Sequence, residues 1–491
     1  MITINGCGQA GTYEYKGLST DVKPVDCAVN SLFLELDTGY FFYFDGTNWV
    51  KIKSGDGYSS FKALISRTIT EITSEMTRGI TKIYTHAFRG CSQLTKASVS
   101  EGVTSIGEFA FHYCSLLSDL TLPEGLTTIG NCAFEGCSSL ADLNLKSGLR
   151  YIGNFAFKNC SSLPDLMIPP GTSTIGNYSF ELCTSATNLS LPNSLVTIGE
   201  GAFKECRSID KISIPNGITK IEKETFYHCK NATNLSISNS VKNIGEEAFA
   251  YCTSLESINL PDNIETLGES AFSYCSSVTS INLKRVKFIG DGCFKMCTSL
   301  PYVSIPNSTG KANSGWWTGS SFADCVKLRE VYIENGVTRI GDNTFGGCSS
   351  LETINFPGTL GEEGNIGEGA FANCSSLKSV TISYGITEIA DYAFKGCHHL
   401  ETVDIPSTIS YIGIEAFQNT TRPVTPPFSW RLGIENIYIR SPGPPELGVN
   451  AFDTWVSNNS NGPNIRVPSG SELSYITAVN WASYGSHIML I

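Results

Sequence analysis

A phenylalanine returns every 23 residues through the middle of this chain, with a cysteine three places behind it. Phe88, Phe111, Phe134, Phe157, Phe180, Phe203, Phe226, Phe249 and Phe272 hold the interval, and Cys91, Cys114, Cys137, Cys160, Cys183, Cys206, Cys229, Cys252 and Cys275 follow them. A fixed period of this length predicts a solenoid, in which each unit buries its apolar edge only against its neighbours. The expected fold class is a mainly β repeat solenoid. Such a chain offers function a long exposed surface in place of an enclosed pocket.

One unit reads from Leu255 to Cys275, LESINLPDNIETLGESAFSYC. Leu255, Ile258 and Leu260 form the buried side of a short strand. Pro261 cannot donate to a ladder and ends it, and Asp262-Asn263 makes the turn. Ile264 and Leu267 point inward again. Gly268 permits a tight corner where a side chain would clash. Ala271 and Phe272 fill the next corner, and Cys275 closes the coil. Strands of this kind can be laid out from Leu94–Val99 to Ile434–Ile439.

Fourteen of the 18 cysteines sit at one repeat position, from Cys91 to Cys397. Equivalent residues in adjacent rungs lie about 4.8 Å apart, so spacing alone does not forbid a disulfide. Each cysteine would nevertheless face two identical neighbours, which implies no pairing scheme. Free cysteine packs as a small apolar group. A buried thiol ladder is therefore expected, and it suits folding in a reducing compartment.

Hydrophobic residues make up 41% of the chain and charged residues 16%, in keeping with a well-buried interior. The net charge of −12 repels phosphate backbones, which argues against a nucleic-acid partner. No run of about 18 apolar residues suggests a membrane span. The opening Met1-Ile2-Thr3-Ile4-Asn5-Gly6 does not read as a secretory signal.

The segments IGEFAFHYC (106–114), IGNCAFEGC (129–137), IGEEAFAYC (244–252) and IADYAFKGC (389–397), with short strands ending in Pro, resemble BspA-like leucine-rich repeats over residues of about 80 to 420. The resemblance implies a right-handed leucine-rich-repeat coil with about 15 short parallel strands. It also implies relatives that are surface and secreted proteins binding host or partner molecules.

The repeat departs from its period at definite places. Phe294 arrives one residue early. Phe322 arrives five late, after PNSTGKANSGWWTGSSF (306–322), and Phe371 three late, after PGTLGEEGNIGEGAF (357–371). Insertions in a solenoid map to loops, which often form the binding face. After Phe417 the cysteine gives way to Thr420, and a Pro-rich stretch (420–430) breaks the period. Residues 421–491 are expected to hold a final strand and a C-terminal cap. The cap's segment 464–490 reads as a strand followed by a short helix and is similar to the family's usual end-piece.

Residues 1–52 carry no repeat. The alternation in SLFLELDTGYFFYFDGTNWVKI (31–52) predicts a small three-stranded meander. The run 17–52 resembles a short module of bacteriophage tail-associated proteins. Residues 53–60 read as a linker, 61–83 as an N-terminal cap and 84–420 as the solenoid proper.

Catalytic chemistry is hard to find. Asp37-Thr38-Gly39 spells half of an aspartic-protease dyad, but no second triplet supplies the partner. The six histidines lack metal-site spacing. The pairs Cys132/Cys137 and Cys293/Cys297 each contain a ladder cysteine. Neither a nucleophile elbow nor a Walker loop is present. The expectation is a protein that is not an enzyme and needs no cofactor.

Outward strand positions are mostly Ser, Thr and Asn. Asp119, Asp142 and Asp165 fall on consecutive rungs, where calcium could bridge them or a screened acidic stripe could suffice. One cluster stands out. Trp316 and Trp317 lie in the longest insertion, and Tyr302 and Tyr332 are outward residues on the flanking strands. These four form the expected docking patch; the alternative is that the tryptophans fold back as a plug. The reading of function is a binding or adhesion protein. It would be displayed on a phage tail through residues 1–52, recognising a bacterial or host surface protein or glycan. The alternative is a bacterial cell-surface adhesin whose leader has been removed.

Overall fold

The structure is a computed structural model. It describes residues 69–306, 319–335, 337, 339–356, 364–418, 434–452 and 463–491, together with the backbone of five strands within residues 1–52. The chain divides into two compact units, Met1–Ser240 and Val241–Ile491. The division falls inside the repeat run and not at either of its ends. The fold is a β-solenoid of about 16 turns with parallel strands and little helix.

In the first unit, the coil from Leu163 to Cys183 shows how the repeat sequence sets the backbone. Asp165–Met167 is a strand with Leu166 buried and its neighbours exposed, and it pairs in parallel with Asn188–Ser190. Pro169 and Pro170 end it. A second strand, Thr174–Ile175, pairs in parallel with Tyr151–Ile152 on one side and Thr197–Ile198 on the other. Sequence reading placed inward residues at this position but no strand. The chain is extended for only two residues here, too short for an alternation to show.

Gly176 follows. A Cβ there would lie 2.6 Å from the backbone nitrogen of Asn154 in the preceding coil, so only glycine fits. The corner then takes left-handed backbone at Tyr178 (φ 53°) and Leu182 (φ 62°). That conformation costs an L-residue about 1–2 kcal/mol. Hydrogen bonds to the next coil offset it: the amides of Tyr178, Phe180 and Leu182 donate to the carbonyls of Glu200, Ala202 and Lys204 at 2.7, 2.8 and 2.9 Å. An asparagine ladder adds to this corner. Asn131 Oδ1 accepts from the Asn154 amide, and Asn154 Oδ1 from the Asn177 amide, at 2.9 and 2.8 Å.

The phenylalanines stack as one continuous file in each unit. From Phe88 to Phe226 successive ring centres are 5.1 to 5.5 Å apart. In the second unit the file runs from Phe249 to Phe452 at 5.2 to 5.6 Å, through Phe294, Phe322 and Phe371. The file of rings therefore continues across the irregular spacings.

The 16 described cysteines are free, and 15 of them are buried. The ladder thiols donate to the phenylalanine carbonyl of the preceding coil, as in Cys137 to Phe111 and Cys160 to Phe134, both at 3.2 Å. Burial pushes the Cys137 and Cys397 thiols up to about 12.

One expectation is corrected and two are extended. Residues 140–145 form no strand, because the Leu145 amide bonds back to the Leu143 carbonyl at 2.9 Å and leaves the ladder. The front sheet has five strands, two more than the three read in residues 31–52. Leu32–Glu35, Phe41–Phe44 and Trp49–Lys51 pair antiparallel in sequence. Glu14–Gly17 joins them in parallel, and Ile2–Ile4 pairs antiparallel with it. The tail adds one strand beyond the expected strand and helix: Asn464–Val467, helix Glu472–Thr477, then Ile488–Leu490 beside the first. The segments 53–60 and 420–433, and the Asp37-Thr38-Gly39 triplet, lie outside the described residues.

The end of the second unit is closed by aromatic side chains. Trp481 is fully buried and lies 6.1 Å from Phe452, the last ring of the file. Its Nε1 donates to the Pro445 carbonyl at 2.7 Å. Tyr475, also buried, donates to the Ser441 carbonyl at 2.8 Å. Trp481→Ala should cost about 3–5 kcal/mol locally. Because coils in a solenoid depend on nearest neighbours, amide exchange should accelerate at Ile437 and Ile465 and stay unchanged at Ile258. Uniform acceleration would show instead that the cap supports the whole unit.

Candidate functional site

The strand Tyr302–Ile305 pairs in parallel with Glu330–Ile333, which pairs with Thr353–Asn355. Val303, Ile305, Val331 and Ile333 are buried, so the residues between them face out. Tyr302 sits opposite Glu330, and Tyr332 sits between Ser304 and Asn355. The two tyrosines are thus diagonal neighbours on one sheet face. They are 46% and 45% exposed, in adjacent files whose nearest paired positions are Glu330, Ser304 and Asn355. Asn355 Nδ2 reaches Glu330 Oε1 at 3.4 Å beside them. Trp316 and Trp317 lie outside the described residues.

The acidic rungs hold no preformed cation cage. Lys96 Nζ pairs with Asp119 at 3.5 Å, and Asp165 Oδ1 accepts from Asn188 Nδ2 at 2.5 Å. Among the described residues no group of three His, Cys, Asp or Glu side chains is placed to hold a metal ion. Two histidines of the first unit have acidic neighbours instead: His228 Nδ1 is 3.0 Å from Glu205, and His112 Nε2 is 3.5 Å from Glu135.

The first unit carries a feature that sequence reading missed. An open groove of about 540 Å³ crosses its outward face, lined by Asp165, Met167, Asn188, Ser190, Asp210 and Lys211. Asn188 is paired with Asp165 and Ser190 with Met167 across it. Met167, 54% exposed, is its apolar wall. The outward positions read from the sequence include Met167, Ser190 and Asp165, but only the structure shows the depression they border.

Stacked parallel coils with a file of buried phenylalanines and a polar outward sheet define a leucine-rich-repeat solenoid. The BspA type leucine rich repeat region matches residues 57–184, 104–232, 219–321 and 318–425. The chain belongs to that family. Its fold is similar to the crystal structure of a leucine-rich repeat protein from Bacteroides ovatus, at 29% identity over 74% of this chain and 82% of that one, with a TM-score of 0.58. A leucine rich cell surface protein from Faecalibacterium prausnitzii is 26% identical over 70% of this chain and 81% of that one, with a TM-score of 0.34. No curated protein matches. Leucine-rich repeats of this type point to binding or adhesion, and no enzyme family is indicated. No helix among the described residues is long and apolar enough to cross a membrane.

Proposed function

We propose that this protein is a non-enzymatic adhesin of the bacterial cell surface, and that a partner protein or glycan docks on the outward face around Tyr302 and Tyr332. The observation that carries this reading is the pair of half-exposed tyrosines on adjacent paired strands. Tyrosine supplies a large amphipathic contact at low entropic cost, and such residues dominate binding energy where they cluster. Trp316 and Trp317, placed by sequence in the insertion between these two strands, would complete the patch. Membership in a family of surface repeat proteins supports the cell surface over the virion. The matched region begins at residue 57, so attachment to a phage tail through residues 1–52 rests on the sequence resemblance alone.

Binding of the full chain to whole cells and to immobilised glycans and surface proteins tests this. Replacing Tyr302 and Tyr332 together with alanine should weaken binding by about thirtyfold, the loss of roughly 2 kcal/mol typical of a docking hot spot. Stability should change by no more than about 0.5 kcal/mol per site, since both side chains are exposed. Replacing Trp316 and Trp317 should do the same. A drop in stability without a drop in binding would make the tryptophans a plug, and unchanged binding in both double variants would move the site elsewhere.

A further inference from the structure

Near its C-terminal end, the second unit gathers charged and aromatic side chains on one outward face. The parallel register of Thr402–Ile405, Asn436–Ile439 and Asn464–Val467 sets Asp404, Tyr438 and Arg466 in one file, and Thr402, Asn436 and Asn464 in a second. Arg440, just past the middle strand, turns back onto the first file. Its Nε and Nη2 donate to the two carboxylate oxygens of Asp404 at 2.9 Å each. Its guanidinium lies 5.3 Å from the Tyr438 ring centre, and that of Arg466 lies 5.8 Å from it. The tyrosine thus holds two cations by its ring quadrupole.

Only one of them is neutralised. Asp404 takes Arg440 in a bidentate pair, whereas Arg466 has no ion pair among the described residues, and its buried Nε–H has no hydrogen-bond partner. The terminal nitrogens of Arg466 are the groups that a ligand would meet, and their fork matches a carboxylate. The second file is neutral and hydrogen-bonding, with Asn464 Nδ2 donating to Asn436 Oδ1 at 3.3 Å.

We propose that this face binds a carboxylated sugar. Arg466 takes the carboxylate end-on with its two terminal nitrogens, and Thr402, Asn436 and Asn464 meet the ring hydroxyls. One uncompensated positive charge, on a chain of net charge −12, suits a single carboxylate among neutral polar groups. Acidic peptides and phosphate polymers carry charges in runs; beyond Arg466 they would meet repulsion from the net negative charge of the chain. Tyr438, Arg440 and Arg466 lie beyond residue 425, where the family match ends. The site is separate from Tyr302 and Tyr332 and does not depend on that reading.

The test is ligand-observed NMR on the full chain with galacturonate and glucuronate as probes. Galactose, galacturonate methyl ester and hexaglutamate serve as comparisons. Both acids should bind, with affinity falling as salt is raised, and the neutral sugar and ester should bind at least about tenfold more weakly. Arg466→Gln should abolish the preference for the acids, while Arg466→Lys, which keeps the charge and loses the fork, should keep part of it. Both variants should melt with the parent. Equal binding of acid and ester, unchanged acid binding by Arg466→Gln, preference for hexaglutamate, or no binding of either acid would each overturn the proposal.

Discussion

Raising the pH from 8 to 11 should unfold this protein in one steep transition beginning just above pH 9. Ten ladder thiols have their ionisation pushed above the ordinary 9.0. At nine of them the main cause is loss of water around the thiolate; at Cys114 it is the hydrogen bond with the Cys91 thiol. Below pH 9 folded and unfolded chains both keep these protons, and the neutral ladder contributes in full. Above pH 9 the unfolded chain ionises while the folded one does not. Each thiol then removes about 1.4 kcal/mol of stability per pH unit, up to the folded value of about 12 at Cys137 and Cys397. Several thiols acting together exhaust the roughly 5–15 kcal/mol that holds a domain within about one pH unit.

Circular dichroism and maleimide consumption, followed together from pH 7 to 11, would record this. Among the described cysteines only the half-exposed Cys132 should label before the transition, and the ladder should label with it. A transition that releases fewer than about two protons, or ladder thiols that react fully at pH 8 in the folded protein, would mean the sulfurs are not sealed. Cys160→Ala should reduce the steepness by about one proton.

Much of this core was legible because the sequence writes it repeatedly in register. The Phe-x-x-Cys interval gave both files, and the glycine of each Ile-Gly pair gave the corner where a Cβ would strike the preceding coil, as Gly268 does at 2.6 Å from the Glu246 nitrogen. What stayed hidden was set by contacts between coils. Tyr178 and Leu182 take left-handed backbone, yet neither residue type advertises it; the neighbouring coil's carbonyls impose it. Residues 140–145 look like any other strand, and a single amide bonding two residues back removes them from the sheet.

The candidate sites follow the same division. Tyr302 and Tyr332 could be placed on one face from alternation alone. The groove beside Met167 is lined from three rungs, Asp165–Met167, Asn188–Ser190 and Asp210–Lys211, which no single repeat unit brings together. The Arg440–Tyr438–Arg466 cluster lies where the period has failed, so no repeat position marked its members as neighbours.

Phe157→Ala should cost the first unit about 3–5 kcal/mol, more than any surface change. The ring is fully buried, 5.2 Å from Phe134 and 5.3 Å from Phe180, and nearly parallel to both at 2° and 9°. Its removal leaves a void that opens onto two coils at once. The corner cannot collapse to fill it, because the Phe157 amide is bonded to the Ser179 carbonyl at 2.7 Å and the Gly153 position admits no shift toward the preceding coil. Leucine at the same place refills most of the volume and should recover more than half of the loss. Thermal melts of both variants measure this, and exchange of the Ile152 and Ile175 amides locates it. If coils act only on nearest neighbours, those amides should exchange faster while Ile83, three rungs away, keeps its protection. A loss below about 1 kcal/mol would mean that the stacked rings are held by the backbone ladder around them and contribute little themselves.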